Sequence, residues 1–161
     1  LMLADLRRRL ADKQLNLVVT DAAKNAIIDG GYDPIFGARP LKRYIQAHVE
    51  TMIAKEIIGM TGVSIECAEN GREAVEKFTA APVGYYDLIF MDIQMPLMNG
   101  YETTAAIRAQ TLHGGQTIPI VAMTANAFAE DVVLSRNAGM NDHIAKPLDL
   151  NKLNDVLQQW L

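Results

Sequence analysis

The chain has 161 residues, half of them hydrophobic, which is enough for the core of one ordinary domain or two very small ones. Its net charge of -4 and pI near 5.3 argue against nucleic acid as a default partner. No apolar run is long enough to span a bilayer and no signal peptide opens the chain, so a membrane is not an expected partner.

The charge is unevenly divided. Residues 1–58 hold nine Lys/Arg against seven Asp/Glu, whereas residues 59–161 hold six against twelve, a contrast that suggests two origins or two roles. The single cysteine, Cys67, excludes an internal disulfide and fits a reducing, cytoplasmic setting; following Val63-Ser64-Ile65-Glu66, it reads as a small buried apolar residue. Leu1 in first position points to an excised or processed piece.

Leu3, Leu6 and Leu10 recur at helical spacing, with Arg7, Arg8 and Arg9 on the solvated side. Residues 15–19, Leu-Asn-Leu-Val-Val, read as a strand. Thr20 is a good N-cap for a helix that begins at Asp21 and stops at Gly30-Gly31. A structured loop follows, and Pro40 suits the first turn of a long helix over about 41–60 with Ile45, Val49, Met52, Ile53, Ile57 and Met60 on its apolar side.

A strand–helix alternation then begins. Strands are expected at 63–67, 87–91, 118–123 and 143–145. The first two are followed by helices opening with capping boxes, Asn70-x-x-Glu73 and Asn99-x-x-Glu102. The third precedes a helix near 127–137 stopped by Gly139, and the last a helix with Leu150, Leu153, Leu157 and Trp160 along one side. Alternating βα units imply a parallel sheet covered on both faces.

In such a sheet, ligands bind beyond the carboxyl ends of the strands. Three apolar runs end there in polar residues: one at Asp92, one at Thr124, one at Lys146-Pro147. Each alone could be a loop cap, an N-cap or a surface lysine. Together, a carboxylate, a hydroxyl and an ammonium converge on one edge.

Residues 60–161 resemble a response-regulator receiver domain of the kind found in hybrid sensor kinases. The stretches that carry the resemblance are 69–74 (ENGREA), 91–100 (MDIQMPLMNG), Met123-Thr124-Ala125 and 142–147 (DHIAKP). It implies a flavodoxin-like fold, with Asp92 as phosphoryl acceptor, Thr124 as switch hydroxyl and Lys146 binding a phosphoryl oxygen. It further implies a cis Lys146-Pro147 bond, Mg²⁺ ligated by Asp92 and the backbone carbonyl of Gln94, and a histidine kinase or phosphotransfer domain as partner. His143 stands where that family often has Tyr or Phe.

The family's opening strand, with its acidic pair, is missing. Residues 1–58 resemble instead the small C-terminal subdomain of the second ATPase module of ClpB/Hsp104 disaggregases, through residues 17–23 (LVVTDAA), 31–43 (GYDPIFGARPLKR) and 45–58. That resemblance makes Arg39 the sensor-2 arginine, yet no G-x-x-x-x-G-K-[ST] loop is present, so Arg39 has no nucleotide of its own to sense.

The join falls inside the long helix, where 51–58 suits both parents. We read this as a deliberate recombination that yields one merged domain over 1–161. Its sheet would have five parallel strands in the order 2-1-3-4-5, with residues 15–19 supplying the missing strand and extra helices at the N-terminus. In that arrangement Asp21 could supply one carboxylate facing Asp92, or serve only its own helix. Two carboxylates in place of three would weaken Mg²⁺ binding on the order of tenfold or more. The expectation is a fold chimera that is not an enzyme and has no selected activity, with weak or lost Mg²⁺ binding; the alternative is a working phosphoreceiver. A chaperone fragment acting through Arg39 is a third reading.

Overall fold

The computed structural model describes residues 2–12, 15–32, 40–41, 44–124 and 129–161. Its centre is a parallel sheet of β1 (Ile89–Asp92), β2 (Ile120–Thr124) and β3 (Asp142–Ala145), in that order. The register pairs Met91 with Ala122 and Thr124 with Ala145. All five residues of β2 are buried, as a central strand between two helical layers must be.

The period of two sorts β2 between those layers. Val121 and Met123 join Ala54, Ile57 and Ile58 of α3 (Glu50–Gly59) and Leu153, Val156 and Leu157 of the last helix, α7 (Leu150–Trp160). Ile120 and Ala122 join Phe78 of α4 (Gly71–Ala80) and Ile107 of α5 (Gly100–Arg108) on the other face. With α6 (Ala129–Asn137) between β2 and β3, this is the doubly wound, flavodoxin-like α/β fold expected.

A third cluster holds the N-terminal helices. Leu6 and Leu10 of α1 (Met2–Ala11) pack with Ile27 of α2 (Asp21–Gly31) and with Ile45. Leu15 and Ile53 pack against both this cluster and the α3–α7 layer, so the added helices are joined to the sheet layers through shared side chains.

The caps follow the sequence closely. Thr20 Oγ1 accepts from Ala23 N at 3.1 Å. Asn99 and Glu102 form the full reciprocal box. Asn70 accepts from Glu73 N, but the Glu73 carboxylate turns back to Glu69 N rather than Asn70 N. A 3-10 turn, Thr111–His113, separates α5 from β2.

Two expected strands do not form ladders. Residues 15–20 are extended, alternating half-buried with exposed, but make no sheet hydrogen bonds. The Leu15 amide donates to Leu10 O at 2.9 Å and the Arg7 guanidinium donates to Leu17 O at 3.0 Å, so this segment is tied to α1. Residues 63–68 are likewise outside any ladder, held by Lys77 Nζ donating to Cys67 O and by Tyr86 Oη donating to Glu66. Among the described residues, the three strands present are thus the last three of the expected order. Cys67, expected inside, is exposed, because its segment lies outside the sheet.

The long helix is also interrupted. Ile45–Val49 is a π turn, closed by Glu50 N donating to Ile45 O, and α3 follows without a break. A π turn inserts one extra residue into a helix and changes the direction in which its neighbours point. Here it lies just ahead of Glu50 and Thr51.

Candidate functional site

β1 ends at Asp92, β2 at Thr124, and Lys146 follows β3 directly, so strand register alone sets the carboxylate, the hydroxyl and the ammonium along one sheet edge. Lys146 N donates to Thr124 O at 2.7 Å, fixing the loop to the neighbouring strand. The Lys146-Pro147 peptide is cis, as the receiver resemblance implies.

The Lys146 side chain is 3% exposed and that of Asp92 12%, and Lys146 Nζ donates directly to Asp92 Oδ2. A desolvated ion pair of this kind needs further hydrogen bonds to offset the loss of water. They are present: Gln94 N donates to Asp92 Oδ1 at 3.1 Å, and Thr51 Oγ1 to Asp92 Oδ2 at 3.1 Å. Lys146 Nζ also donates to Thr51 Oγ1 at 3.1 Å.

The loop after β1 is held by a close backbone approach. Gly100 N donates to Ile93 O at 3.0 Å, and a Cβ at Gly100 would lie 2.4 Å from Asp92 O. Only glycine lets α5 start so near the strand end.

The expected juxtaposition of Asp21 with Asp92 is not formed. Asp21 sits in the first turn of α2 with its side chain 92% exposed, paired with Lys24 at 2.6 Å, because residues 15–20 follow α1 instead of the edge of β1. Arg39 lies outside the described residues, as does Ala125 beside Thr124. His143 is partly exposed on β3, beside the carboxylate of Asp142.

Sequence reasoning missed Thr51 and Glu50. Thr51, Ala54 and Ile58 share the helical spacing of one face, so a hydroxyl at the polar end of an apolar stripe was the available signal. Glu50 is buried on Arg9, with Oε1 2.8 Å from the guanidinium.

Mg²⁺ takes an octahedral set of hard oxygen ligands, usually with carboxylates among them. Asp92 already carries an ammonium on Oδ2, and no group of three His, Cys, Asp or Glu able to hold a metal gathers among the described residues. Among the described residues, the donors do not make up the acidic oxygen set that ion takes.

The comparisons divide the chain as its charge does. The response regulator receiver domain profile matches residues 46–158, and that of the C-terminal, D2-small domain of ClpB protein matches residues 1–66. The two share residues 46–66, which contain most of the π turn and all of α3. The chaperone protein ClpB of Bacillus cereus is 51% identical over 57 residues, covering 35% of this chain. Hybrid signal transduction histidine kinase L of Dictyostelium discoideum is 30% identical over 114 residues, covering 70%. The chain spans 7% of the length of each of these relatives.

Among solved structures, the receiver domain of the sensor histidine kinase PA1611 from Pseudomonas aeruginosa, with magnesium in its active site cleft, superposes with a TM-score of 0.62 at 35% identity, over 70% of this chain and 88% of that one. With its sheet order, strand-end residues and a profile match over most of its length, the chain belongs to the response regulator receiver domain family.

Proposed function

We propose that this chain is a recombined α/β domain, in which a ClpB-like fragment takes the place of a receiver's opening strand, and that it has no selected activity and is not an enzyme. The two family matches overlap over residues 46–66, across the whole of α3, and do not abut at a linker, which supports recombination. Leu15 and Ile53, shared between the N-terminal cluster and the sheet layers, support one merged domain over 1–161. The lone, unpaired Cys67 suits a cytoplasmic setting.

In this reading Asp92 is a remnant phosphoryl acceptor, Lys146 the cation for a phosphoryl oxygen, and Thr124 the switch hydroxyl. An Asp92 oxygen attacking an acyl phosphate would bring anion toward anion, a step that depends on nearby positive charge. The observation that carries the reading is the ion pair itself: Lys146 is spent on Asp92, with no metal-holding acidic group beside it among the described residues. Divalent-cation binding is therefore weak or lost, and phosphorylation slow.

The second reading is a working two-component receiver, phosphorylated on Asp92 by a histidine kinase or phosphotransfer domain. The placing of Asp92, Thr124 and Lys146 on one sheet edge favours it. Acetyl phosphate with millimolar Mg²⁺, followed by intact mass, separates the two. The proposal expects no stoichiometric phosphoryl adduct. An adduct on every chain, absent in Asp92→Asn, would establish the second reading.

A further inference from the structure

The pocket contains a group that neither family match assigns to it. Thr51 reaches it from α3, directly after the π turn. Its hydroxyl donates to Asp92 Oδ2 and accepts from Lys146 Nζ, each at 3.1 Å, while Lys146 also donates to the same carboxylate oxygen. The three side chains close a triangle. A hydroxyl can do this because it is a donor and an acceptor at once.

The neighbouring residue serves the other layer. Successive residues of a helix point about 100° apart. Glu50 turns to Arg9, and Thr51 turns to Asp92. Consecutive positions at the start of α3 thus place Glu50 against the N-terminal helices and Thr51 beside Asp92.

The electrostatic result is a pocket with one buried negative and one buried positive charge. With Gln94 N on Oδ1, both oxygens of the carboxylate already have donors from the chain. A divalent cation entering here would compete with an ammonium and a hydroxyl for Oδ2 and, among the described residues, would find no group of three acidic or imidazole side chains to hold it.

We infer that Thr51 is the latch of this pocket: its hydroxyl holds Lys146 on Asp92, so that a self-neutralised ion pair occupies the place of a cation, and the side chain at position 51 decides whether the pocket accepts a divalent ion. The inference rests on the reading of Asp92 and Lys146 as a receiver-derived pocket. A carboxylate at position 51 would give two negative charges against one positive and turn the pocket into a cation site.

The test has two arms on the full chain. In the first, Mn²⁺ alone is titrated and the free ion is followed by electron spin resonance. Thr51→Asp is expected to acquire a saturable site about tenfold or more tighter than any in the unaltered chain. Thr51→Asn, of the same shape without the charge, is expected to acquire none, and Asp92→Asn in the Thr51→Asp background is expected to remove the site. An unaltered chain that binds Mn²⁺ as tightly as Thr51→Asp would overturn the inference, as would a folded Thr51→Asp no better than Thr51→Asn.

The second arm does not depend on the Asp variant folding. Competitive acetylation compares Lys146 with Lys152 by mass spectrometry. Thr51→Val is expected to raise the relative labelling of Lys146 by about threefold or more, and Thr51→Ser to restore the original value. Equal labelling in Thr51→Val and the unaltered chain would overturn the latch. This arm reads the hydrogen bond whether or not Asp92 takes a phosphoryl group, so its failure is distinct from failure of the proposed function.

Discussion

The guanidinium of Arg9 on α1 donates to Glu50 Oε1 on α3 at 2.8 Å, across 41 positions of sequence, and the Glu50 side chain is only 1% exposed. This pair ties the N-terminal helices to the helix shared by the two family matches. Arg9 also lies 3.4 Å from Asp5, and among the described residues Glu50 Oε2 has no hydrogen-bond partner, so Arg9 is the cation paired with Glu50 there.

Removing Arg9 should therefore strand a buried carboxylate. Breaking a buried pair commonly costs 3–5 kcal/mol, and because Arg9 is 36% exposed the expected loss for Arg9→Met is lower, about 2–3 kcal/mol. Arg9→Met/Glu50→Met should recover most of it, since an apolar pair carries no desolvation cost. Urea unfolding midpoints of the unaltered chain and the two variants test this. A single Arg9→Met variant as stable as the original chain would mean that Glu50 does not need its cation.

The sheet edge that carries the candidate site was legible in the sequence for a simple reason: Asp92, Thr124 and Lys146 each end an apolar run, and parallel strands in register bring such ends together whatever else happens. The Asn99–Glu102 cap was legible because it is local. Residues 15–19 were read correctly as extended but not in their pairing. A period of two fixes which side chains turn inward; it does not say that the Leu15 amide will go to Leu10 or that Arg7 will take the Leu17 carbonyl. Asp21 was misplaced for the same reason. Thr51 was legible only as a hydroxyl at the polar end of the Ala54–Ile58 stripe; the pattern does not say that Asp92 and Lys146 would meet it, and no hydrophobic periodicity announces the π turn ahead of it.

That turn makes a contrast between two deletions. Removing Gln46, inside Ile45–Val49, takes out the extra residue and leaves a regular helix, with Ile45 and Glu50 still able to face their own layers. Removing Met52 instead turns everything before it by about 100° relative to Ile53 and beyond. The Gln46 deletion should stay folded with a loss of about 1 kcal/mol or less, within the ordinary range for single changes, and the Met52 deletion should not fold. Circular dichroism and urea midpoints decide it, and equal damage from both would show that the π turn absorbs nothing.

Gly100 should not tolerate a methyl group. Alanine is intrinsically better than glycine in a helix by about 1 kcal/mol, but its Cβ would stand 2.4 Å from the Asp92 carbonyl and 2.9 Å from Ile93 Cα. Both are backbone atoms at the strand end and can yield only by moving the loop. Overpacking of this kind costs about 1–3 kcal/mol, so the clash should exceed the propensity gain. Gly100→Ala is expected to lower the thermal midpoint, and a midpoint equal to or above the original would contradict the close approach.

Tyr86 gives a pH signature away from the site. Burial, and then its hydrogen bond to Glu66 at 2.8 Å, push the phenol up to about 12. The folded state therefore prefers the protonated phenol. Its stabilisation is complete below the ordinary tyrosine value of about 10 and is lost as pH rises from there toward 12. Alkaline titration of tyrosine absorbance should show a late component that is missing in Tyr86→Phe. A titration in which Tyr86→Phe removes an early component instead would refute the assignment.

Hydrogen exchange tests the sheet itself. The amides of β2 lie between two paired neighbours in the centre of the fold and should open only with global unfolding. Residues 63–67 and 16–19 have no ladder, so their amides should exchange orders of magnitude faster, with Leu15, bonded to Leu10 O, the protected exception at the start of the second segment. The comparison is internal to one sample, so overall stability cancels. Protection across 16–19 equal to that of 120–124 would mean that this segment pairs with β1 after all; the edge of the sheet would then be closed, and the path from Thr20 to Asp21 would have to pass the Asp92 pocket.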